Sequence, residues 1–84
     1  MFDQARIVYV LRSLREPDRY YTGLTDDVQH RLAVHNGGGS THTARLRPWK
    51  LVTSIEFENI ESARAFEKYL KSGSGRAFSK KHCV

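Results

Sequence analysis

Two runs of β-branched and aromatic residues near the start of the chain, Ile7-Val8-Tyr9-Val10-Leu11 and Tyr20-Tyr21-Thr22-Gly23-Leu24, limit most strongly what it can fold into. Pro17-Asp18 lies between them. Proline presets a turn angle and aspartate bonds its own backbone, so the pattern predicts an antiparallel hairpin with its loop over residues 12–19. The first run has no polar alternation and reads as a strand buried on both faces. Period-two geometry places Tyr21 and Gly23 on one face of the second strand and Tyr20 and Thr22 on the other.

Beyond the hairpin, Thr25-Asp26-Asp27 offers capping oxygens, and Asp26-x-x-Gln29 has the form of a capping box. A helix is expected there, with Val28, Leu32 and Ala33 facing the core. It should stop by Asn36, because Gly37-Gly38-Gly39 has little tendency to continue it. Residues 37–46 then read as a flexible polar loop. Residues 49–57 alternate, which predicts a third strand with Trp49, Leu51, Ile55 and Phe57 on one side. Asn59 can cap a second helix whose inner stripe is Ile60, Ala63, Phe66, Glu67 and Leu70. Gly73-Ser74-Gly75 breaks it, and residues 76–82 are expected to form a short basic helix. The order β-β-α-β-α-α implies an α+β domain, a three-stranded antiparallel or mixed sheet with helices packed on it.

With 84 residues the chain suits one domain, 1–84, that buries only about 60 to 65% of its unfolded surface. The 39% hydrophobic and 27% charged fractions exclude a disordered tract. One cysteine, Cys83, excludes a disulfide-built scaffold, and no apolar run has the length of a signal-peptide core or membrane span. A soluble, cytoplasmic protein is expected. A net charge of +5 and a pI near 9.7 point to an anionic partner, with nucleic acid the leading class.

Glu67 stands where the periodicity of its helix calls for an apolar side chain, and a carboxylate there is costly to desolvate. A divalent metal would compensate it, as would solvent or a neighbouring arginine. Arg31 and His35 are one turn apart and share a helix face, where both can address one phosphate, although an exposed arginine and a histidine near a helix C-terminus need no function. Tyr9 and Tyr21 would ordinarily be core aromatics. Only about 0.1% of an unperturbed phenol is ionised at neutral pH, so a basic tyrosine needs a cation beside it. His30, His35, His42, His82 and Cys83 lack zinc-site spacing. The triglycine lacks the Gly-Lys-Ser/Thr ending of a nucleotide-binding P-loop.

Taken in order, Val8-Tyr9-Val10, Tyr21-Thr22-Gly23, Arg31, His35-Asn36-Gly37-Gly38 and Glu67 resemble the motifs of the GIY-YIG nuclease family. The resemblance runs from about Ile7 to His82 and is greatest to small single-domain members similar to the N-terminal nuclease domain of the bacterial DNA-repair excinuclease. These share the stretch running from Tyr69 to Phe78. It implies a three-stranded antiparallel sheet flanked by helices, and hydrolysis of nucleic-acid phosphodiesters, DNA foremost, with one Mg²⁺ or Mn²⁺ and a place in DNA repair or processing. Tyr9, Tyr21, Arg31 and Glu67 match the family's catalytic positions, with Glu67 the metal ligand and His35 an assistant in proton transfer or phosphate binding. In this reading Tyr9 activates water, Tyr21 orients water or phosphate, Arg31 neutralises phosphoryl charge, and Gly23 permits close packing.

Val8 and Thr22 depart from the motif's naming letters, and Leu24 stands where the excinuclease branch commonly has lysine. No asparagine follows Glu67, which leaves Lys80, Lys81 or His82 for the role a downstream asparagine fills in some members. Arg45, Arg47, Lys50, Lys71, Arg76, Lys80 and Lys81 are the candidate phosphate contacts. They would also serve a non-catalytic nucleic-acid-binding module on the same scaffold. A third reading is an adaptor that uses the basic surface or an exposed Trp49 region. With no appended DNA-binding domain, either weak structure-based selection or a protein partner that supplies targeting is expected.

Overall fold

The computed structural model describes residues 5–72, arranged as β1 (Ile7–Ser13), β2 (Tyr20–Thr25), α1 (Val28–Asn36), α2 (Thr41–Ala44), β3 (Trp49–Glu56) and α3 (Ile60–Lys71). The sheet order is β2-β1-β3 with both pairings antiparallel, so the unbroken apolar run of β1 takes the central position. The expected helix over residues 76–82 and the glycine break before it lie outside the described residues. No helix among the described residues is long and apolar enough to cross a membrane.

The two sheet faces carry different layers. Val8 and Val10 point toward α3 and pack with Ala63 and Leu70, with Leu24, Phe57 and Phe66 at the margin. Tyr9 and Leu11 point the other way and pack with Leu46 and Trp49, against Tyr21, Leu51, and Val28 and Leu32 of α1. Ser13 anchors the end of the hairpin: its hydroxyl donates to Leu46 O at 2.6 Å and accepts from the amides of Arg15 and Glu16.

Several local expectations are corrected. The cap of α1 is Asp27, whose carboxylate accepts from His30 N at 3.0 Å, because Thr25 and Asp27 close a small turn that places Asp26 outside the helix. Ala33 is exposed and leaves the inner stripe to Val28 and Leu32. Residues 37–46 are not simply a polar loop: α2 forms within them and buries Thr43 and Leu46.

Along β3 the simple alternation fails. Val10 faces Thr53 while Leu11 faces Leu51, so β3 carries an extra residue, Val52, at a bulge. An extra residue reverses the side-chain phase of everything beyond it. Trp49 and Leu51 therefore join Tyr9, whereas Ile55 lies opposite Val8 and Phe57 packs with the α3 layer. Trp49 is only 4% exposed, which removes the adaptor surface expected around it.

Candidate active site

Tyr9, from the central strand, is fully enclosed and reaches across to α1, where its Oη lies 3.0 Å from His35 Nε2. The strand pairing sets Gly23 directly opposite Tyr9, and a Cβ built there would sit 2.6 Å from the tyrosine Oη. Absence of a side chain at Gly23 is thus what admits the Tyr9 ring. Tyr21, on the same face of β2, brings its ring to 4.8 Å from that of His35 and 6.1 Å from that of Tyr9. Arg31 projects from the preceding turn of α1, and its guanidinium acts on the Tyr9 phenol.

A ring of contacts that local sequence patterns did not reveal holds this group. His35 Nδ1 lies 2.8 Å from Thr43 Oγ1 in α2. The Thr43 carbonyl accepts from Trp49 Nε1 at 2.9 Å, and the Trp49 ring stands edge-on to Tyr21. Asn36 completes the circuit: its side chain accepts from Trp49 N at 2.6 Å and donates to Trp49 O at 3.1 Å. Adjacent residues His35 and Asn36 therefore clamp α2 and the start of β3 from one helix end. The only sequence signal for Thr43 was a hydroxyl residue beside a histidine, which is too common to single out.

Electrostatically the site is a buried phenol and imidazole beside a fixed cation. Burial pushes the Tyr9 phenol above its ordinary pKa, and the Arg31 guanidinium only partly opposes this. In the metal-free protein desolvation thus outweighs the arginine at the Tyr9 oxygen. His35 is drawn below its ordinary value, first by burial and then by Arg31, and stays neutral. Arg31 Nε is buried without a hydrogen-bond partner among the described residues, a penalty that an anion at the guanidinium would offset.

Tyr9, Tyr21, Arg31 and His35 are thus brought together on one sheet face. Glu67 stands on α3, which packs on the other face and lies chiefly along β2, the strand that carries Tyr21. It is half-buried, and Lys71 Nζ meets it at 2.7 Å one turn along the helix. Among the described residues no three His, Cys, Asp or Glu side chains gather into a metal cage. A single hard carboxylate nevertheless fits Mg²⁺ or Mn²⁺, since Mg²⁺ is commonly held through one or two carboxylates, with water and substrate phosphates completing the shell. It does not fit zinc.

Of the candidate phosphate contacts, Arg45, Arg47 and Lys50 are exposed and flank Leu46 and Trp49, which pack against Tyr9. Arg47 lays its guanidinium over Gly38, which has φ +82°. Lys50 pairs across the sheet with Arg12. Lys71 is exposed but engaged by Glu67. Arg76, Lys80 and Lys81 lie outside the described residues.

A family model described as the GIY-YIG catalytic domain matches residues 6–81. The chain belongs to the GIY-YIG family. Among its relatives is the structure-specific endonuclease subunit slx1 of Talaromyces marneffei, 45% identical over 65 residues, covering 70% of this chain and 17% of that protein. SLX1 of Debaryomyces hansenii, with the same description, is 37% identical over 71 residues, covering 76% of this chain and 20% of the relative. A UPF0213 protein of Streptococcus pneumoniae, whose name states no activity, is 37% identical over 70 residues, covering 82% of this chain and 69% of its own length. The chain thus spans about a fifth of the length of these two SLX1 relatives.

Proposed function

We propose that the chain is a metal-dependent endonuclease that hydrolyses phosphodiester bonds in nucleic acid, DNA foremost. The observation that carries this is the buried Tyr9 hydroxyl, paired with His35 and under the charge of Arg31, in a space that Gly23 leaves open. A tyrosine filling a core needs neither a neutral imidazole nor a guanidinium at its oxygen.

In this mechanism the attacking water gives a proton to Tyr9 Oη while the phenol's own proton passes to His35 Nε2. A free phenolate need never form, which suits a phenol whose pKa is raised by burial. The electron pair released on the water oxygen forms the new bond to phosphorus, and the bond to the leaving oxygen breaks with its pair on that oxygen. Arg31 neutralises charge on the phosphoryl oxygens, and Tyr21 orients water or phosphate beside Tyr9. Glu67 would hold Mg²⁺ or Mn²⁺, which when bound supplies Lewis-acid charge against the phosphoryl and leaving oxygens. The Lys71 pair is no obstacle, because the lysine is 53% exposed and can turn to solvent when a metal takes its place.

The description of the SLX1 relatives as structure-specific endonuclease subunits supports selection by nucleic-acid shape, with a protein partner supplying targeting. Arg45, Arg47 and Lys50 would contact phosphates beside the scissile bond. The deciding experiment incubates labelled single-stranded, duplex and branched DNA, and RNA, with Mg²⁺ or Mn²⁺, using the parent chain, Tyr9→Phe and Glu67→Ala. Cleavage by the parent that both substitutions abolish is expected. Binding without cleavage on every substrate and metal would reject the nuclease in favour of a binding module.

A further inference from the structure

We propose that Gly38 and Arg47 form a preset grip for a second phosphate of the bound strand, in which the missing side chain at Gly38 lets the Arg47 guanidinium rest in one place with its donors unused. The identity of the anion rests on the nuclease reading above. The grip itself is a matter of binding, apart from metal and cleavage.

Gly38 has a structural duty first. α1 stops in a paired turn, where Gly38 N donates to His35 O at 3.2 Å and Gly39 N donates to Val34 O at 2.9 Å, and Gly38 takes φ +82°. This is a common helix stop built on one left-handed residue, and asparagine also serves in it. The stop therefore asks only for a backbone angle. The space beside Gly38 asks for more, since a Cβ there would overlap Arg47 Nη1 and lie 3.2 Å from its Cζ. Only a residue without a side chain leaves the guanidinium where it is.

The chain on either side of Arg47 is fixed in the same frame. Leu46 is buried in the layer around Tyr9, and its carbonyl accepts from Ser13. Pro48 O accepts from Leu14 N at 2.9 Å, and both backbone polar groups of Trp49 are taken by Asn36, at the end of the helix that supplies the cradle. The base of the arginine and the resting place of its head are thus tied to α1 together. Yet the exposed guanidinium makes no hydrogen bond or ion pair among the described residues. An arginine kept for stability would commit those donors to a carboxylate or to the carbonyls at the end of α1. A planar fork that is already ordered and has no partner suits a phosphate, because little freedom is lost when the anion arrives.

The location fits a strand placed by the catalytic group. Gly38 is bonded to His35, and Leu46, next to Arg47 in the chain, packs with Tyr9. Arg31 precedes Gly38 by two helical turns, about 10 Å along the axis, which one strand covers in about three nucleotides. Arg47 would therefore hold the strand at a phosphate beyond the one that is cut, and act on KM more than on kcat.

The test is a double-mutant cycle in binding, read by fluorescence anisotropy of labelled duplex and branched DNA in EDTA over a range of salt, with the full chain, Arg47→Ala, Gly38→Asn and the double variant. Asparagine keeps the helix stop, which thermal melting checks, and fills the cradle; Gly38→Ala, which adds the clashing carbon alone, repeats the measurement. Each single variant should weaken binding about tenfold and make the dependence of log K on log salt shallower by about 0.9, one phosphate contact. The double variant should lose no more than either alone. Arg47→Lys should restore the salt slope but not the affinity, because it keeps the charge without the fork. Unchanged binding by Arg47→Ala overturns the proposal, as does full rescue by lysine. So does a Gly38 substitution that weakens binding equally with and without Arg47, or a parent that binds neither DNA. A parent that shows the coupling but cleaves nothing with Mg²⁺ or Mn²⁺ would reject the nuclease reading and leave the grip standing.

Discussion

Gly23→Ala is the smallest perturbation of the site, because it adds one methyl group and changes nothing else. Its Cβ would lie 2.6 Å from Tyr9 Oη, 2.7 Å from Cζ and 3.0 Å from Cε1, whereas ordinary contact begins at 3.4 Å. The ring must therefore move by roughly 0.8 Å, several times the ~0.2 Å of play that a hydrogen bond tolerates. Tyr9 is 1% exposed and packed against Tyr21 and His35, so this motion costs about 1–3 kcal/mol, as overpacked cores do. Removing glycine from the unfolded chain returns about 0.5 kcal/mol. The net destabilisation is about 0.5–2.5 kcal/mol, which for a domain of this size lowers Tm by roughly 2–20 °C.

Displacing the reacting oxygen by that distance should also reduce cleavage about a hundredfold. A double-mutant cycle isolates the cause: in a Tyr9→Ala background the whole clashing ring is gone, so Gly23→Ala should cost at least about 0.5 kcal/mol less, within the range of coupling for touching residues. Denaturant midpoints for the four proteins measure this. A Gly23→Ala protein as stable and active as the parent would refute the steric role assigned to Gly23.

Ser13→Ala should destabilise the chain by about 1–2 kcal/mol in urea denaturation, since it leaves the buried Leu46 carbonyl and two part-buried amides without their hydroxyl partner. Lys71→Met should change stability by less than about 0.5 kcal/mol, as an exposed helical pair does, while lowering the Mg²⁺ concentration for half-maximal cleavage; an unchanged metal requirement would show that Lys71 does not compete at Glu67. His35 contributes a pH dependence whose sign is set by its lowered pKa. Its stabilisation is present above about pH 6.5, the unfolded value, and is lost as pH falls through the lower folded-state value. A His35→Gln protein should show a shallower loss of stability in acid, and identical slopes would refute the assignment. Tyr9 runs in the other direction, its contribution present below about pH 10 and lost as pH rises through its raised folded-state pKa.

Local patterns carried much of this molecule's organisation. The β-branched runs, the capping asparagine at residue 59 and the triglycine after α1 act over a few residues, so strands, helix and stop were legible where they lie. Hairpin phase was legible too, because alternation needs no knowledge of the partner: Tyr21 and Gly23 fall on the Tyr9 face as expected. Glu67 betrayed itself by breaking its own helix's pattern. The Val52 bulge was not legible, since any residue can occupy a bulge and the partner strand decides where the register slips.

The same division holds within the site. The residue types and their order pointed to Tyr9, Arg31 and His35, since each belongs to a strand or helix whose direction could be inferred. Thr43, Trp49 and Asn36 act through bonds between segments distant along the fold, and no local propensity encodes those. Nor does the chain alone reveal whether Arg31 outweighs burial at the Tyr9 oxygen, because desolvation depends on what the rest of the molecule packs around it. Short-range chemistry is written in neighbouring residues; dielectric environment and long-range hydrogen bonds arise only when distant ones meet.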